Sequence, residues 1–257
     1  MAELSAGTES GFVLVDEKSP DVLQNAHVGM RVKLSSAPPW IVVYRTLENV
    51  HFSRWPVRLL RAAVVPPETD QERAKMASAA REVLPGASYT RALHVDLLAE
   101  LSPSVLFGSH GDAVARIVSA ALALDEEGAN CLASNKVPTA DEEYSKAWER
   151  WLAGQPHGDR RSGRDHSRTV KVSGVGPLES PIGDGFSLIV HAVEDSARLR
   201  GSADSFAEDE DGELEMVGPW RAAADALLHA AMALGAPHLV DQRAATVLTS
   251  EWNRKMP

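Results

Sequence analysis

The first quarter of the chain contains one segment that alternates apolar and polar positions with a period of two, and three continuous apolar runs. Residues 28–34 alternate apolar side chains with glycine, arginine and lysine, and the apolar runs occupy residues 12–15, 40–44 and 57–65. This period is typical of half-buried strands, and the short connections between the runs favour antiparallel pairing. The pattern predicts four strands of a small, mainly antiparallel sheet.

After residue 68 the period changes to that of a helix. Thr69 and Glu72 form a capping-box pattern, which predicts a helix as far as about residue 84. Four leucines predict a second helix over residues 91–101, and an apolar stripe predicts a third that begins at Asp112. Amphipathic helices are therefore expected to follow the sheet along the chain.

A fourth helix is predicted to begin near Thr139, because Glu142 repeats the capping-box spacing. It carries Tyr144, Trp148 and Trp151 at helical spacing. Such a stripe can form a ligand wall or a partner surface, but large aromatic side chains at this spacing usually bury themselves. Core packing is the favoured interpretation.

Residues 154–168 interrupt the helical pattern with a polar stretch rich in glycine, serine and arginine. Such a composition predicts a loop or linker. It divides the chain into an N-terminal αβ portion, residues 11–153, and a C-terminal αβ portion, residues 169–257; the alternative is one continuous domain.

The C-terminal portion mixes both periods. We predict strands over residues 169–172 and 186–193, an acidic loop over 201–215 and a helix over 218–234. Residues 241–254 fit either a helix or a strand. The expected fold class is α+β, with the small sheet first, then the amphipathic helices and a second αβ portion.

Composition narrows the classes of function. The net charge of −10 argues against non-specific nucleic-acid binding. Cys131 is the only cysteine, which excludes an intramolecular disulfide or a thiolate metal cluster. No secretion signal or membrane span is recognisable, so we expect a soluble cytoplasmic protein. The excess of 19 arginines over 7 lysines suggests a GC-rich bacterial genome.

Two segments are candidate anion sites. The turn Gly108-Ser109-His110-Gly111 precedes a predicted helix, whose N-terminal N–H groups and dipole favour anions. It lacks the spacing of a P-loop or of a nucleophile elbow. The second segment is the polar loop, which contains His157, His166, Arg160, Arg161 and Arg164. Its histidines have no metal-site spacing, so we predict no metal and no cofactor.

Three functions remain open. The first is a non-catalytic protein-binding or accessory module with a protein partner of unknown identity. The second is an enzyme acting on an anionic small molecule, with Ser109, His110, His157 or His166 as catalytic residues and a histidine as general acid or base. The third, which the net charge disfavours, is a nucleic-acid-linked regulator that uses the aromatic and arginine side chains of residues 40–61.

Overall fold

The computed structural model describes residues 9–17, 19–35, 37–83, 87–154 and 184–255. The chain divides into two compact units, residues 1–106 and residues 107–257. The first unit holds an antiparallel sheet and the second is mainly helical, which confirms the α+β class. The predicted linker lies outside the described residues from residue 155 onward, as does the predicted strand at 169–172.

The first unit is built on a six-stranded sheet in which every pair of neighbouring strands is antiparallel. Its strands are β1 (Ser10–Val15), β2 (Arg31–Lys33), β3 (Ile41–Tyr44), β4 (Arg58–Val65), β5 (Tyr89–Ala92) and β6 (His94–Leu101). The spatial order is β2-β6-β4-β1-β3-β5, so that β2 and β5 are the two edges. The four strands predicted from the alternation are confirmed as β1 to β4.

The prediction of a helix over residues 91–101 is wrong, because this segment forms the end of β5 and the whole of β6. Leu93, Leu97 and Leu101 are spaced as on a helix, but Leu93, Val95 and Leu97 also alternate with a period of two. β6 pairs with β2 on one side and β4 on the other. Pairing on both sides decides the ambiguity in favour of the strand.

Both faces of the sheet bury apolar side chains. On one face Val13, Ile41 and Leu60 pack with Leu23 of the short helix α1 (Asp21–Gln24). On the other face the alternate residues of the same strands form a second cluster, which contains Phe12, Leu14, Tyr44, Leu59 and Leu106. Because successive side chains of a strand point to opposite faces, the continuous apolar runs of β1, β3 and β4 supply both cores.

The helix α2 (Asp70–Arg81) lies between β4 and β5 in the chain and packs against β5. Thr69 accepts a hydrogen bond from the N–H of Glu72, and the Glu72 carboxylate accepts one from the N–H of Thr69. This reciprocal pair is the capping box predicted from the sequence. It fixes the point at which the helix begins.

The second unit consists of helices around a central, largely buried α7. Its elements are α3 (Gly111–Leu122), α4 (Glu126–Ser134), α5 (Ala140–Gly154), α6 (Asp184–Arg200), α7 (Gly218–Gly235), α8 (Gln242–Lys255) and a hairpin of β7 (Phe206–Glu208) and β8 (Leu214–Met216). α7 packs against α3, α4, α5, α6 and α8. Its alanines let these neighbours approach closely, and Trp220 and Leu227 fill the space between them.

The strand predicted over residues 186–193 is wrong, because this segment lies in α6. Phe186, Ile189, Val193 and Ala197 are buried at helical spacing, so the short apolar run was one side of a longer helix. The sequence analysis also missed α4, which contains Gly128, and the β7–β8 hairpin inside the predicted acidic loop. Residues 241–254, left undecided, fall in α8.

Candidate functional site

β5 is an edge strand whose outer side is free of any neighbouring strand in the described part of the chain. The N–H of Arg45 donates to the carbonyl oxygen of Ser88 at 3.0 Å, just beyond the Tyr44–Tyr89 pair of the β3–β5 ladder. Hydrogen-bonded and non-hydrogen-bonded pairs alternate along an antiparallel ladder. Thr90 therefore bonds to β3, whereas the backbone N–H and C=O groups of Tyr89 and Arg91 point outward.

A cavity of about 270 Å³ lies along this strand and α2. It is lined by residues of α2, of β5, of the segment that follows α2 and of the end of β3: Arg45, Met76, Ala80, Val83, Ala87, Tyr89, Thr90 and Arg91. Met76, Ala80 and Val83 form its apolar wall. The site thus combines outward-facing backbone groups with an apolar wall beside them.

Two tyrosines lie side by side on the sheet where it meets the cavity. Tyr44 and Tyr89 are opposite each other in the ladder, with ring centroids 6.3 Å apart. Burial, followed by the neighbouring Tyr89 and Asp16, raises the pKa of the Tyr44 phenol above its ordinary value of 10.0. Tyr44 is therefore neutral at physiological pH, and its ring packs as a hydrophobic group beside Tyr89 of β5.

The charged side chains that line the cavity are both arginines. Arg91 donates from Nη1 to Oε2 of Glu82 at 2.7 Å, and Arg45 lies with Nε 3.3 Å from Oε1 of Glu9. The Arg91 side chain is only 23% exposed, whereas that of Glu82 is 64% exposed. Exposed pairs of this kind contribute about 0–1 kcal/mol each, so a ligand can replace either carboxylate at little cost.

The first predicted anion site forms a turn ahead of α3. Gly108 has a positive φ of 93°, and the N–H of Gly111 donates to the carbonyl oxygen of Gly108 at 3.0 Å. Ser109 and His110 are exposed, and His110 is the N-cap residue without a side-chain capping bond. Anion binding or catalysis at this turn stays a prediction.

The second predicted anion site cannot be placed beside that turn. His157, His166, Arg160, Arg161 and Arg164 all lie outside the described residues. The hypothesis of an enzyme that uses both segments therefore stays a prediction.

The arginines of the proposed nucleic-acid surface make internal contacts. Arg58 donates to both carboxylate oxygens of Glu100, at 2.8 and 2.9 Å, and to the carbonyl oxygen of Ala26 at 3.0 Å. Arg54 pairs with Glu17. These contacts account for two guanidinium groups without a ligand, and the nucleic-acid hypothesis stays a prediction.

A buried histidine in the second unit brings together three elements. His229 of α7 has Nε2 3.4 Å from Oδ1 of Asp141 on α5 and Nδ1 3.5 Å from Oε2 of Glu251 on α8. The Glu251 carboxylate also accepts a hydrogen bond of 2.6 Å from the N–H of Val137. The side chains of His229 and Glu251 are 3% and 2% exposed. Asp225, four residues before His229 on α7, has its Oδ1 atom 3.4 Å from Nε of Arg221.

The aromatic stripe of α5 packs beside this histidine. Tyr144 lies 5.0 Å from the His229 ring, and Trp148 makes edge contacts with Trp151 and Phe186. Burial is the main cause that raises the pKa of Tyr144 to about 12. The aromatic residues of α5 contact one another, Phe186 and His229, but Tyr144, Trp148 and Trp151 are only partly buried, so core packing stays an interpretation. His229 with its two carboxylates joins α5, α7 and α8.

The described residues contain no group of three or more histidine, cysteine, aspartate or glutamate side chains arranged to hold a metal ion. They also contain no helix that is long and apolar enough to cross a bilayer. His229 and its carboxylates join α5, α7 and α8, whereas the cavity beside β5 offers unfilled space and backbone groups to a partner.

The sequence analysis missed the cavity beside β5 because it assigned residues 91–101 to a helix. A helix there would satisfy its own backbone groups and leave no sheet edge. The signal that this segment forms strands is the alternation of Leu93, Val95 and Leu97, together with Tyr89 and Thr90 just before it. Aromatic and β-branched residues favour strands.

Comparison with known proteins gives no relative for this chain. No protein family, no curated protein and no solved structure matches it at a significant level.

Proposed function

We propose that the protein is a non-catalytic binding module whose first unit takes up an extended segment of a partner protein as an additional strand beside β5. The observation that carries this proposal is the cavity of about 270 Å³ that is lined by α2 and by the edge strand β5. Strand addition to an exposed sheet edge is a recurring mode of peptide recognition. Main-chain hydrogen bonds supply affinity in this mode, and side-chain pockets supply specificity.

The backbone of β5 supports this mode. Tyr89 and Arg91 lie two residues apart, and both turn an N–H and a C=O outward according to the β3–β5 ladder. A strand placed about 4.8 Å from β5 bonds to these groups. Its side chains then alternate between the two faces of the sheet, so that every second one reaches the apolar wall of Met76, Ala80 and Val83.

The size of the cavity favours a peptide over a small molecule. Small-molecule pockets usually enclose about 300–1,000 Å³ and bury most of the ligand, and this cavity lies below that range. An extended peptide does not need to be enclosed, because it forms main-chain bonds along one side and inserts only one or two side chains.

The proposal places the protein in the bacterial cytoplasm. A chain with one cysteine forms no internal disulfide, which suits a reducing compartment. The excess of arginine over lysine supports a bacterial source.

The test uses a phage-displayed library of random linear dodecapeptides as the probe. The full chain is the target, and the strongest binder is synthesised and its Kd measured. Ala80→Trp fills the cavity from the exposed side of α2, and we expect it to weaken binding at least about tenfold by removing the space for one apolar side chain. Ala74→Trp adds the same indole on another side of α2, away from the cavity, and is the matched control.

A second arm tests whether the peptide binds as a strand. We expect N-methylation of alternate residues of the peptide to abolish binding for the set that bonds to β5 and to spare the other set. The proposal is overturned if no peptide is enriched on the wild-type chain relative to the Ala80→Trp variant. It is also overturned if the two N-methylated sets of peptides bind equally well.

A further inference from the structure

We infer that the bound segment carries an acidic side chain that replaces Glu82 as the ion-pair partner of Arg91. Glu82 therefore competes with the ligand for the Arg91 guanidinium. This inference rests on the proposed function and specifies the chemistry of its partner. It starts from the ion pair that closes one side of the cavity, in which Arg91 Nη1 lies 2.7 Å from Oε2 of Glu82.

The two members of this pair differ in their freedom to move. Arg91 belongs to β5, lines the cavity and is 23% exposed. Glu82 is the C-cap residue of α2, and its side chain is 64% exposed. The Arg91 side chain is therefore largely covered, while the Glu82 carboxylate reaches it from the surface. A carboxylate brought by a ligand can exchange with Glu82 without moving Arg91.

Strand addition puts a ligand side chain within reach of this guanidinium. Side chains directly opposite each other on neighbouring antiparallel strands lie on the same face, with Cβ atoms about 4.5–5.5 Å apart. The ligand residue opposite Arg91 therefore extends its side chain along that of Arg91. A glutamate at this position reaches the guanidinium and can form the two parallel hydrogen bonds that arginine makes with carboxylates.

Charge complementarity selects an acidic segment rather than a neutral one. The charged groups that line the cavity are Arg45 and Arg91, and the carboxylates that meet them, from Glu9 and Glu82, come from outside the lining. A neutral segment would leave Glu82 on Arg91 and cover the pair, which takes both charges further from water. An acidic segment replaces one carboxylate by another and returns Glu82 to solvent.

The experiment measures Kd for the selected dodecapeptide and for analogues in which each acidic residue is changed to its amide. We expect one Glu→Gln change to weaken binding to the wild-type chain about fivefold, and Arg91→Gln to abolish the difference between the two peptides. Glu82→Gln should strengthen binding of the acidic peptide about threefold, because the competitor is removed. The gain should shrink as salt rises.

Asp70→Asn is the matched control, since it breaks a similar exposed pair on the same helix, between Asp70 and Arg73. It should leave Kd unchanged. Circular dichroism and thermal unfolding of each variant show that a change in Kd does not come from misfolding. The inference is overturned if amide and acidic peptides bind equally, or if Glu82→Gln binds no more tightly than Asp70→Asn. Failure to select any peptide would instead overturn the proposed function.

Discussion

Two regions of the molecule, the His229 junction and the edge of the sheet at β5, differ in how accessible their polar groups are. In the second unit His229 and Glu251 are buried between helices, with the Asp141 and Glu251 carboxylates 3.4 and 3.5 Å from the ring nitrogens of His229. In the first unit the outward N–H and C=O groups of β5 lie beside a cavity that is lined by two arginines. Polar groups enclosed by the helices of their own unit are not accessible to a partner, whereas an accessible sheet edge is a template for another strand.

Electrostatics distinguish the units in the same way. In the ion pair of Arg91 and Glu82 the carboxylate side chain is 64% exposed, whereas the contacts of His229 lie between α5, α7 and α8 and the side chains of His229 and Glu251 are 3% and 2% exposed. Removal of one member of a buried pair costs about 3–5 kcal/mol, while an exposed pair contributes about 0–1 kcal/mol. The following changes test this contrast, beginning with the largest expected effect.

Glu251→Ala should lower the free energy of unfolding of the second unit by about 3 kcal/mol, because it removes the acceptor of the Val137 N–H and the buried carboxylate that lies 3.5 Å from the His229 ring. Urea denaturation measures this change. Glu210→Ala, on the exposed hairpin, is the control and should shift the value by less than about 0.5 kcal/mol. A loss below about 1 kcal/mol for Glu251→Ala would show that the junction at His229 contributes little.

Gly11→Ala should destabilise the first unit by about 2 kcal/mol and weaken peptide binding. A Cβ at this position would overlap the carbonyl oxygen of Tyr44, so β3 must move, and β5 is held only by β3 within the sheet. Ser10→Ala, at an exposed neighbouring position, is the control. If Gly11→Ala destabilises the first unit but leaves the Kd for the peptide unchanged, peptide binding does not depend on the position of β3.

Glu72→Gln should make the stability of the first unit less sensitive to acid. Backbone N–H groups of Thr69 and Glu68, and then His94, lower the pKa of Glu72 below its ordinary value of 4.5. A carboxyl group with a lowered pKa stabilises the folded state above its unfolded pKa, and this contribution disappears as the pH falls through the folded pKa. Urea denaturation from pH 6 down to about pH 3 should therefore show a steeper decline for wild type than for the variant. Parallel curves would remove Glu72 as a source of the acid response.

Lys33→Gln should have the smallest effect of this series. Lys33 Nζ lies 2.7 Å from Oε1 of Glu68, and both side chains are about half exposed. We expect a loss of at most about 0.5 kcal/mol in the free energy of unfolding, and less in high salt. A loss comparable to that of Glu251→Ala would contradict the distinction between buried and exposed pairs.

The sequence predicts elements well where the pattern has one period. The alternation of residues 28–34 and the apolar runs at 12–15, 40–44 and 57–65 predict β1 to β4, and Thr69 with Glu72 predicts the start of α2, because these signals are local. Residues 91–101 and 186–193 fail in opposite directions. Each has apolar spacing that fits two structures, and the neighbours that decide between them, β2 and β4 in one case and α7 in the other, are distant in sequence.

The site depends on the same distant contacts. β5 is an edge strand because it pairs with β3 alone in the sheet. β3 lies more than forty residues earlier in the chain, so the residues near β5 in sequence do not show this. His229 likewise meets Glu251 from the following helix and Asp141 from a helix far earlier in the chain. Convergence of this kind leaves no fixed interval in the sequence, in contrast to motifs that bind metals or phosphates.

Amide hydrogen exchange along β5, measured by NMR with and without the selected dodecapeptide, tests the central claim most directly. The amides of Thr90 and Ala92 already bond to β3, so their exchange should change little when peptide binds. The amides of Tyr89 and Arg91 should become protected at saturation, because they acquire acceptors on the added strand. Unchanged exchange at Tyr89 and Arg91 in a saturated complex would contradict strand addition beside β5.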